Sequence, residues 1–155
     1  MSENISIRIV TENKKSFLPL LLLGDESESQ IDKYLDRGEL FVLYDGDDYS
    51  AAKCLFVVTD EGGGTLEIQN LATDEQFQRR GYASQLVEFI ADHYIGRYDR
   101  IILGTGDVPR ILAFYKRRGF EETHRFPNYF TEHYDHPIIE DGVLLIDKVY
   151  MERNL

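Results

Sequence analysis

Gln78-Arg79-Arg80-Gly81-Tyr82-Ala83 lies where a strand-like run stops and an amphipathic helix starts. A helix N-terminus leaves its first backbone N–H groups without intrahelical partners, and the helix dipole adds positive potential there. A Gln-x-x-Gly-x-Ala turn at that point frees successive amides, and Arg79 and Arg80 flank them with charge. Such an arrangement suits a phosphate or pyrophosphate. Gly81 matters because a side chain there would hold a bulky ligand away from the main chain. The same six residues also fit an ordinary helix start beside a glycine, so the neighbouring elements decide.

Downstream, Tyr82, Leu86, Phe89, Ile90 and Tyr94 recur at helical spacing toward a core, and the helix ends near Gly96. Residues 100–103 form a short strand. Asp107 is placed to cap the next helix, with Pro109 in its first turn and Gly119 past its end. Ile111, Leu112 and Tyr115 share one side of that helix.

Upstream, residues 5–9 alternate strictly and read as a first strand continuing through Val10. Ser16 is expected to cap a buried helix over 17–23. Ser27 with Gln30 makes a capping-box start for a helix whose Ile31, Tyr34 and Leu35 share a face, ended by Gly38. Residues 40–44 and 51–59 are strands joined by an Asp45-Gly46-Asp47-Asp48 hairpin turn. Gly62-Gly63-Gly64 is a turn into the strand 65–73 rather than a phosphate loop. Strands over 120–126 and 143–152 complete the set, linked by a polar, His/Tyr-rich connection.

The order β-α-α-β-β-β-α-β-α-β-β pairs a parallel strand-helix-strand crossover with antiparallel hairpins. The expected fold is α/β (α+β): a mixed, mostly antiparallel central sheet flanked by helices on both sides. With no repeat, low-complexity tract or linker, residues 1–155 read as a single domain.

Apolar content of 43% with 29% charged residues describes a globular rather than a disordered chain. Lone Cys54 permits no internal disulfide, which fits a reducing, cytoplasmic setting, and its place in a strand marks it as packing. The apolar run 17–23 is far short of the roughly 20 residues that span a bilayer, and contains Pro19, so no membrane partner is expected. Charge is uneven: residues 76–125 carry a net +3 while the remainder carries −14. One segment suits a polyanion and the rest attracts cations. No dense basic stripe points to nucleic acid. His124, His133 and His136 lack partner cysteines, so no metal is expected, and they read as surface or acceptor-pocket residues.

Glu67 stands on the strand entering the opening turn, Leu71-Ala72-Thr73 ends that strand, and Tyr115 falls in Ala113-Phe114-Tyr115-Lys116-Arg117-Arg118-Gly119-Phe120. With these in place the chain resembles the GNAT superfamily of acetyl-CoA-dependent N-acetyltransferases. Gln78, Gly81 and Ala83 match that family's [Arg/Gln]-x-x-Gly-x-[Gly/Ala] motif, and Phe114-Tyr115 with Gly119-Phe120 match its second marker. Gly104-Thr105-Gly106, Tyr134-Asp135-His136-Pro137-Ile138 and Asp141-Gly142 resemble a branch of small bacterial members with no assigned acceptor.

The resemblance implies a GNAT-type acyltransferase fold and these roles. The amides of Arg79, Arg80, Gly81, Tyr82, Ala83 and Ser84 would bind the CoA pyrophosphate, with Gln78 opening the motif. The main chain at Leu71, Ala72 and Thr73 would run beside the pantetheine arm. Tyr115 would protonate the departing thiolate. Glu67 falls where many relatives supply a general base, although a mid-strand Glu between Leu66 and Ile68 also reads as solvent-facing. Two positions depart from the pattern: Val108 replaces a usual Asn, and Asp107 takes the Asn slot of Gly-Thr-Gly-Asn, where an ionised acid cannot donate to pantetheine. Tyr129, Phe130 and Tyr134 would line an acceptor pocket, or serve the core or a homodimer contact.

The expected activity is direct transfer of acetyl from acetyl-CoA, a co-substrate, to the primary amine of a cationic small molecule or peptide in a ternary complex. The alternative is a non-catalytic acyl-CoA-binding sensor or interaction module on the same scaffold.

Overall fold

The central strands are apolar on both faces, and this sets the layering. The computed structural model describes residues 4–46 and 51–155, so Asp47 and Asp48 of the expected hairpin turn lie outside the described residues. The first half holds β1 (Ile5–Val10), α1 (Leu18–Gly24), α2 (Glu28–Ile31), β2 (Glu39–Asp45), β3 (Cys54–Gly62) and β4 (Thr65–Thr73). The second holds α3 (Tyr82–Tyr94), β5 (Arg100–Gly106), α4 (Pro109–Arg117), β6 (Glu121–Phe126), α5 (Tyr129–His133), β7 (Ile139–Glu140), β8 (Val143–Leu144) and β9 (Lys148–Asn154).

Side chains along a strand alternate between faces. On β2 and β3, Phe41, Leu43, Cys54, Phe56 and Val58 pack against α3 and α4. Their neighbours Leu40, Val42, Leu55 and Val57 pack against Leu21 of α1 and Ile31, Tyr34 and Leu35 around α2. Among the described residues, seven strands form the main sheet in the order β1-β2-β3-β4-β5-β9-β6. β4 and β5 run parallel with α3 crossing between them, while the other pairs are antiparallel. The expected mixed sheet between two helical layers is the observed one.

Two irregularities position the site. Val57 pairs with Asn70 but Val58 pairs with Ile68, so Gln69 is an extra residue, a β-bulge. It reverses the faces of β4: Leu66 and Ile68 join the α3 side, whereas Ala72 joins the α1–α2 side. Beyond the bulge β4 also parts from β5. Their pairing runs from Thr65↔Arg100 to Ile68↔Leu103, and among the described residues it goes no further, although β4 continues to Thr73 and β5 to Gly106.

Several local expectations give way. Ser16 caps nothing: a 3-10 turn over Lys14–Phe17 leads into α1, whose N-cap residue is Phe17. α1 buries Leu21, but Leu23 is 47% exposed, so this helix covers the sheet rather than lying inside it. Ser27 does cap α2, its Oγ accepting from the Gln30 N–H at 3.3 Å. Phe89 sits at the rim of the α3 stripe, 36% exposed, with its ring against Phe41 and His93. Residues 143–152 are not one strand. Val143–Leu144 closes a small hairpin with Ile139–Glu140, Leu145 then enters a cluster with Val108 and Ile138, and β9 begins at Lys148. Among the described residues, no helix is long and apolar enough to cross a membrane.

Candidate active site

The splay between β4 and β5 opens a cleft of about 840 Å³. Gln69 to Thr73 form one wall and Gly104 to Gly106 the other; the start of α3 closes one end, and the α1–α2 corner with Tyr134 closes the other. On its far edge β4 is held by β3, through Leu55↔Ala72 and Cys54↔Thr73. Its near edge therefore turns backbone groups of Leu71 and Thr73 toward the cleft, where an extended ligand can add as a strand would. Ala72 points away into the α1–α2 cluster, and Thr73 Oγ1 donates to Cys54 Sγ at 3.3 Å. Cys54 is buried, and that burial pushes its thiol up to about 11, so it is packing and not a nucleophile.

At the α3 end the backbone takes left-handed conformations at Arg79 (φ 65°) and Gly81 (φ 84°). Such turns curl successive N–H groups into an anion-binding concavity. Among the described residues no side chain caps α3, and its first turn holds no acid. The amides of Tyr82, Ala83 and Ser84 are the helix's unpaired donors. Gln78 Nε2 donates to the Thr73 carbonyl at 3.3 Å, tying the loop to the end of β4. The Tyr82 side chain is buried and donates to Asp45 at 2.6 Å, leaving its main chain to face outward. Arg79, Arg117 and Arg118 line the cleft, and the buried Nε of Arg118 has no acceptor among the described residues. Arg80 is drawn aside, stacked on Phe77 at 5.2 Å. Unpaired amides, an orphaned guanidinium donor and clustered arginines fit a pyrophosphate.

Tyr115, from α4, lines the middle of the cleft at 7% exposure, its ring set edge-on between Phe114 and Phe120. Burial, with a smaller push from Glu140, raises its hydroxyl pKa and keeps it a hydrogen-bond donor. Glu67 also lines the cleft, half-buried on the face toward α2. Burial raises its pKa above the ordinary 4.5; Lys148 opposes that, Glu61 adds to it and Arg37 opposes it. A carboxylate moved up in this way suits a general base.

Asp107 is elsewhere. Its carboxylate pairs with Arg125 of β6 at 2.6 Å, and it is not among the residues lining the cleft. The N-cap position of α4 is Val108, with no side-chain cap, so the expected capping role is not met. Asp107 stands one residue too early and has a cation across the sheet to satisfy it.

Beside the expected Tyr134, the acceptor end holds Asp25, Tyr34, Asn70 and Lys148, which sequence reasoning did not single out for chemistry. Tyr34 and Tyr134 both donate to Asp25, at 3.2 and 3.1 Å, joining segments over a hundred residues apart. Asn70 Nδ2 donates to the Leu21 carbonyl at 3.0 Å and to Tyr34 Oη at 3.1 Å. Lys148 extends into the same region, with Nζ 4.3 Å from the Tyr129 ring centroid. Gly104 makes room for Lys148, whereas Gly106 makes room for Leu145. Tyr129, Phe130 and Tyr134 line this end, and Phe130 and Tyr134 also pack on the Val108 cluster. The three histidines sit apart: His124 stacks on Tyr150, His133 meets the Tyr129 carbonyl, and His136 lies between Asp135 and Glu26.

The model of the acetyltransferase (GNAT) domain matches residues 36–122. The chain is 31% identical over 155 residues to the uncharacterized N-acetyltransferase YvbK of Bacillus subtilis (strain 168), covering 99% of this chain and 98% of that one. Its structure is similar to that of a GNAT family acetyltransferase from Elizabethkingia anophelis with acetyl-CoA bound, with a TM-score of 0.90, 30% identity and coverage of 99% and 100%. It is also similar to a Bacillus subtilis acetyltransferase in complex with CoA, with a TM-score of 0.86, 31% identity and coverage of 97% and 99%.

Proposed function

This chain belongs to the GNAT family and is an N-acetyltransferase; from that premise we propose that it moves acetyl from acetyl-CoA directly onto a primary amine within a ternary complex. The observation that carries the reading is the cleft itself. One continuous space joins an amide-lined anion site, an unpaired strand edge, a buried phenol and a half-buried carboxylate.

In this reading the amides of Arg79 to Ser84, with Arg117 and Arg118, hold the pyrophosphate, and the free edge of β4 at Leu71 and Thr73 aligns the pantetheine arm. The acceptor amine enters from the Asp25–Tyr134 end as an ammonium and must lose a proton before it attacks. Glu67 takes that proton, directly or through one water. Tyr115 donates toward the sulfur as negative charge develops there. A phenol near 10 and a thiol near ~8.5 are close enough for this transfer to need little help. Asp25, Glu26 and Glu67 at the acceptor end support an acceptor whose reacting amine arrives as an ammonium.

The test is release of free CoA thiol from acetyl-CoA across a panel of primary amines, beside calorimetric binding of CoA. Turnover with at least one ammonium-bearing class is the expected result. Binding without turnover across the panel would instead support a non-catalytic acyl-CoA sensor, and turnover only with neutral or anionic amines would overturn the charge argument.

A further inference from the structure

The acidic excess of the chain does not fill the cleft. At the acceptor end Asp25, Glu26, Glu67 and Glu140 are matched by Lys33, Arg37, Arg110 and Lys148. Several of these are already engaged with one another or with the body of the protein. Arg37 pairs with Glu61 at 2.9 Å, and Arg110 with Asp141 at 3.0 Å. Asp25 is held by two tyrosine hydroxyls, and Glu26 faces His136 at 3.3 Å.

Lys148 is different. It lies opposite Gly106 in the β5–β9 register, and its side chain leans along β5 over Gly104. A Cβ at Gly104 would overlap Lys148 Cε and touch the Tyr150 ring, so the missing side chain is what lets the lysine cross the strand. The crossing carries Nζ toward the gap between β5 and β4, against the rings of Tyr129 at 4.3 Å and Tyr150 at 5.2 Å. Among the described residues, no carboxylate comes within 4.0 Å of it. Glu67 is its carboxylate neighbour, close enough to act on it through space. The Tyr150 hydroxyl is its hydrogen-bonding neighbour, and an ammonium with three donors, packed on aromatic faces inside a cleft, retains donors for an incoming oxygen.

Resting on the transferase reading above, we propose that the acceptor is an amino acid or an amino-acid-like zwitterion, whose carboxylate is received by Lys148 while its amine meets Glu67. Glu67 and Lys148 lie beyond ion-pair contact yet within coulombic reach of each other, which matches an ammonium and a carboxylate carried on either side of one carbon. The same lysine selects against polyamines and aminoglycosides. These would set a second ammonium against Nζ in a partly desolvated cleft, where like charges repel strongly.

The experiment compares matched acceptors under acetyl-CoA: a set of free α-amino acids including lysine, their carboxamides, and the corresponding decarboxylated amines such as 1,5-diaminopentane, with spermidine alongside. CoA release is followed for the unmodified protein, Lys148→Met and Lys148→Arg, with CoA binding and melting checked for each. The unmodified protein is expected to favour at least one free acid over its decarboxylated partner by tenfold or more in kcat/KM. Lys148→Met should cut kcat/KM for that acid by about 30-fold, mainly through KM. The decarboxylated diamine should gain rather than lose, because its second ammonium no longer meets Nζ, so the acid-to-amine ratio of kcat/KM collapses, and Lys148→Arg should restore part of that ratio. Equal turnover of amines and amino acids, or a preference that survives Lys148→Met, overturns the proposal. CoA binding with no release from any acceptor overturns the transferase reading on which it rests.

Discussion

Glu67 and Tyr115 differ in how their surroundings prepare them. Tyr115 is enclosed by aromatic rings and its raised pKa fixes it as a donor at any working pH. Tyr115→Phe keeps the packing and removes the donor. It should lower kcat by about a hundredfold or more while leaving CoA binding within twofold of its former value, read by steady-state kinetics and calorimetry. Glu67 must be ionised to accept a proton, and its pKa is shifted upward by burial. Raising the pKa of an acid makes the base form disappear sooner as pH falls. The acidic limb of kcat/KM should therefore lie above the ordinary 4.5 of a glutamate. Glu67→Gln should flatten that limb together with the rate, and a limb unchanged in the variant would remove Glu67 from the chemistry. From sequence alone the two faces of strand 65–73 could not be told apart at Glu67. Only the bulge at Gln69 and the departure of β5 show that its face lines a cleft.

At the scale of elements, the start of α3 can be tested through its backbone. Gly81 has φ 84°, yet a Cβ there would meet nothing nearer than Ser84 Oγ at 3.9 Å. Gly81→Ala therefore introduces backbone strain and no clash. It should cost about 1–2 kcal/mol of stability by denaturant titration and weaken CoA binding if the loop relaxes out of its curl. Unchanged affinity would mean the amides of this turn are not the anion site. Most of this element was legible, because Gln78, Gly81 and Ala83 and the apolar stripe of α3 are local signals. The elements that failed depend on partners far along the chain. Asp107 looked like a cap because Arg125 cannot be seen beside it in sequence. Strand 143–152 broke because Leu145 is claimed by Val108 and Ile138. Lys148 went unnoticed because its path depends on Gly104, on a neighbouring strand more than forty positions earlier. The bulge at Gln69 carries no composition signal at all.

For the molecule as a whole, two apolar layers share one sheet, and the cleft opens where the sheet stops being continuous. The α3–α4 layer holds fully buried Leu86, Ile90 and Tyr94 against Phe41 and Phe56. Leu86→Ala should cost about 2–5 kcal/mol, seen as a lower denaturant midpoint. Because α3 also presents the anion site, CoA should recover part of that loss by binding the folded state. The alternation of β2 between the two layers was readable only as an unbroken apolar run, since both its faces are covered.

β9 follows β6 in the chain yet lies between β5 and β6 in the sheet. During synthesis at about 5–20 residues per second, β6 leaves the ribosome before the strand it must pair with exists. It waits as a ribbon with two open edges, and every residue of it remains exposed even in the finished sheet. Glu121, Glu122, His124 and Arg125 are the side chains that make such a ribbon a poor template for neighbouring chains. Lys148 arrives with the strand that ends the wait, so a nascent chain can assemble its anion-binding turn well before it has any means of choosing an acceptor.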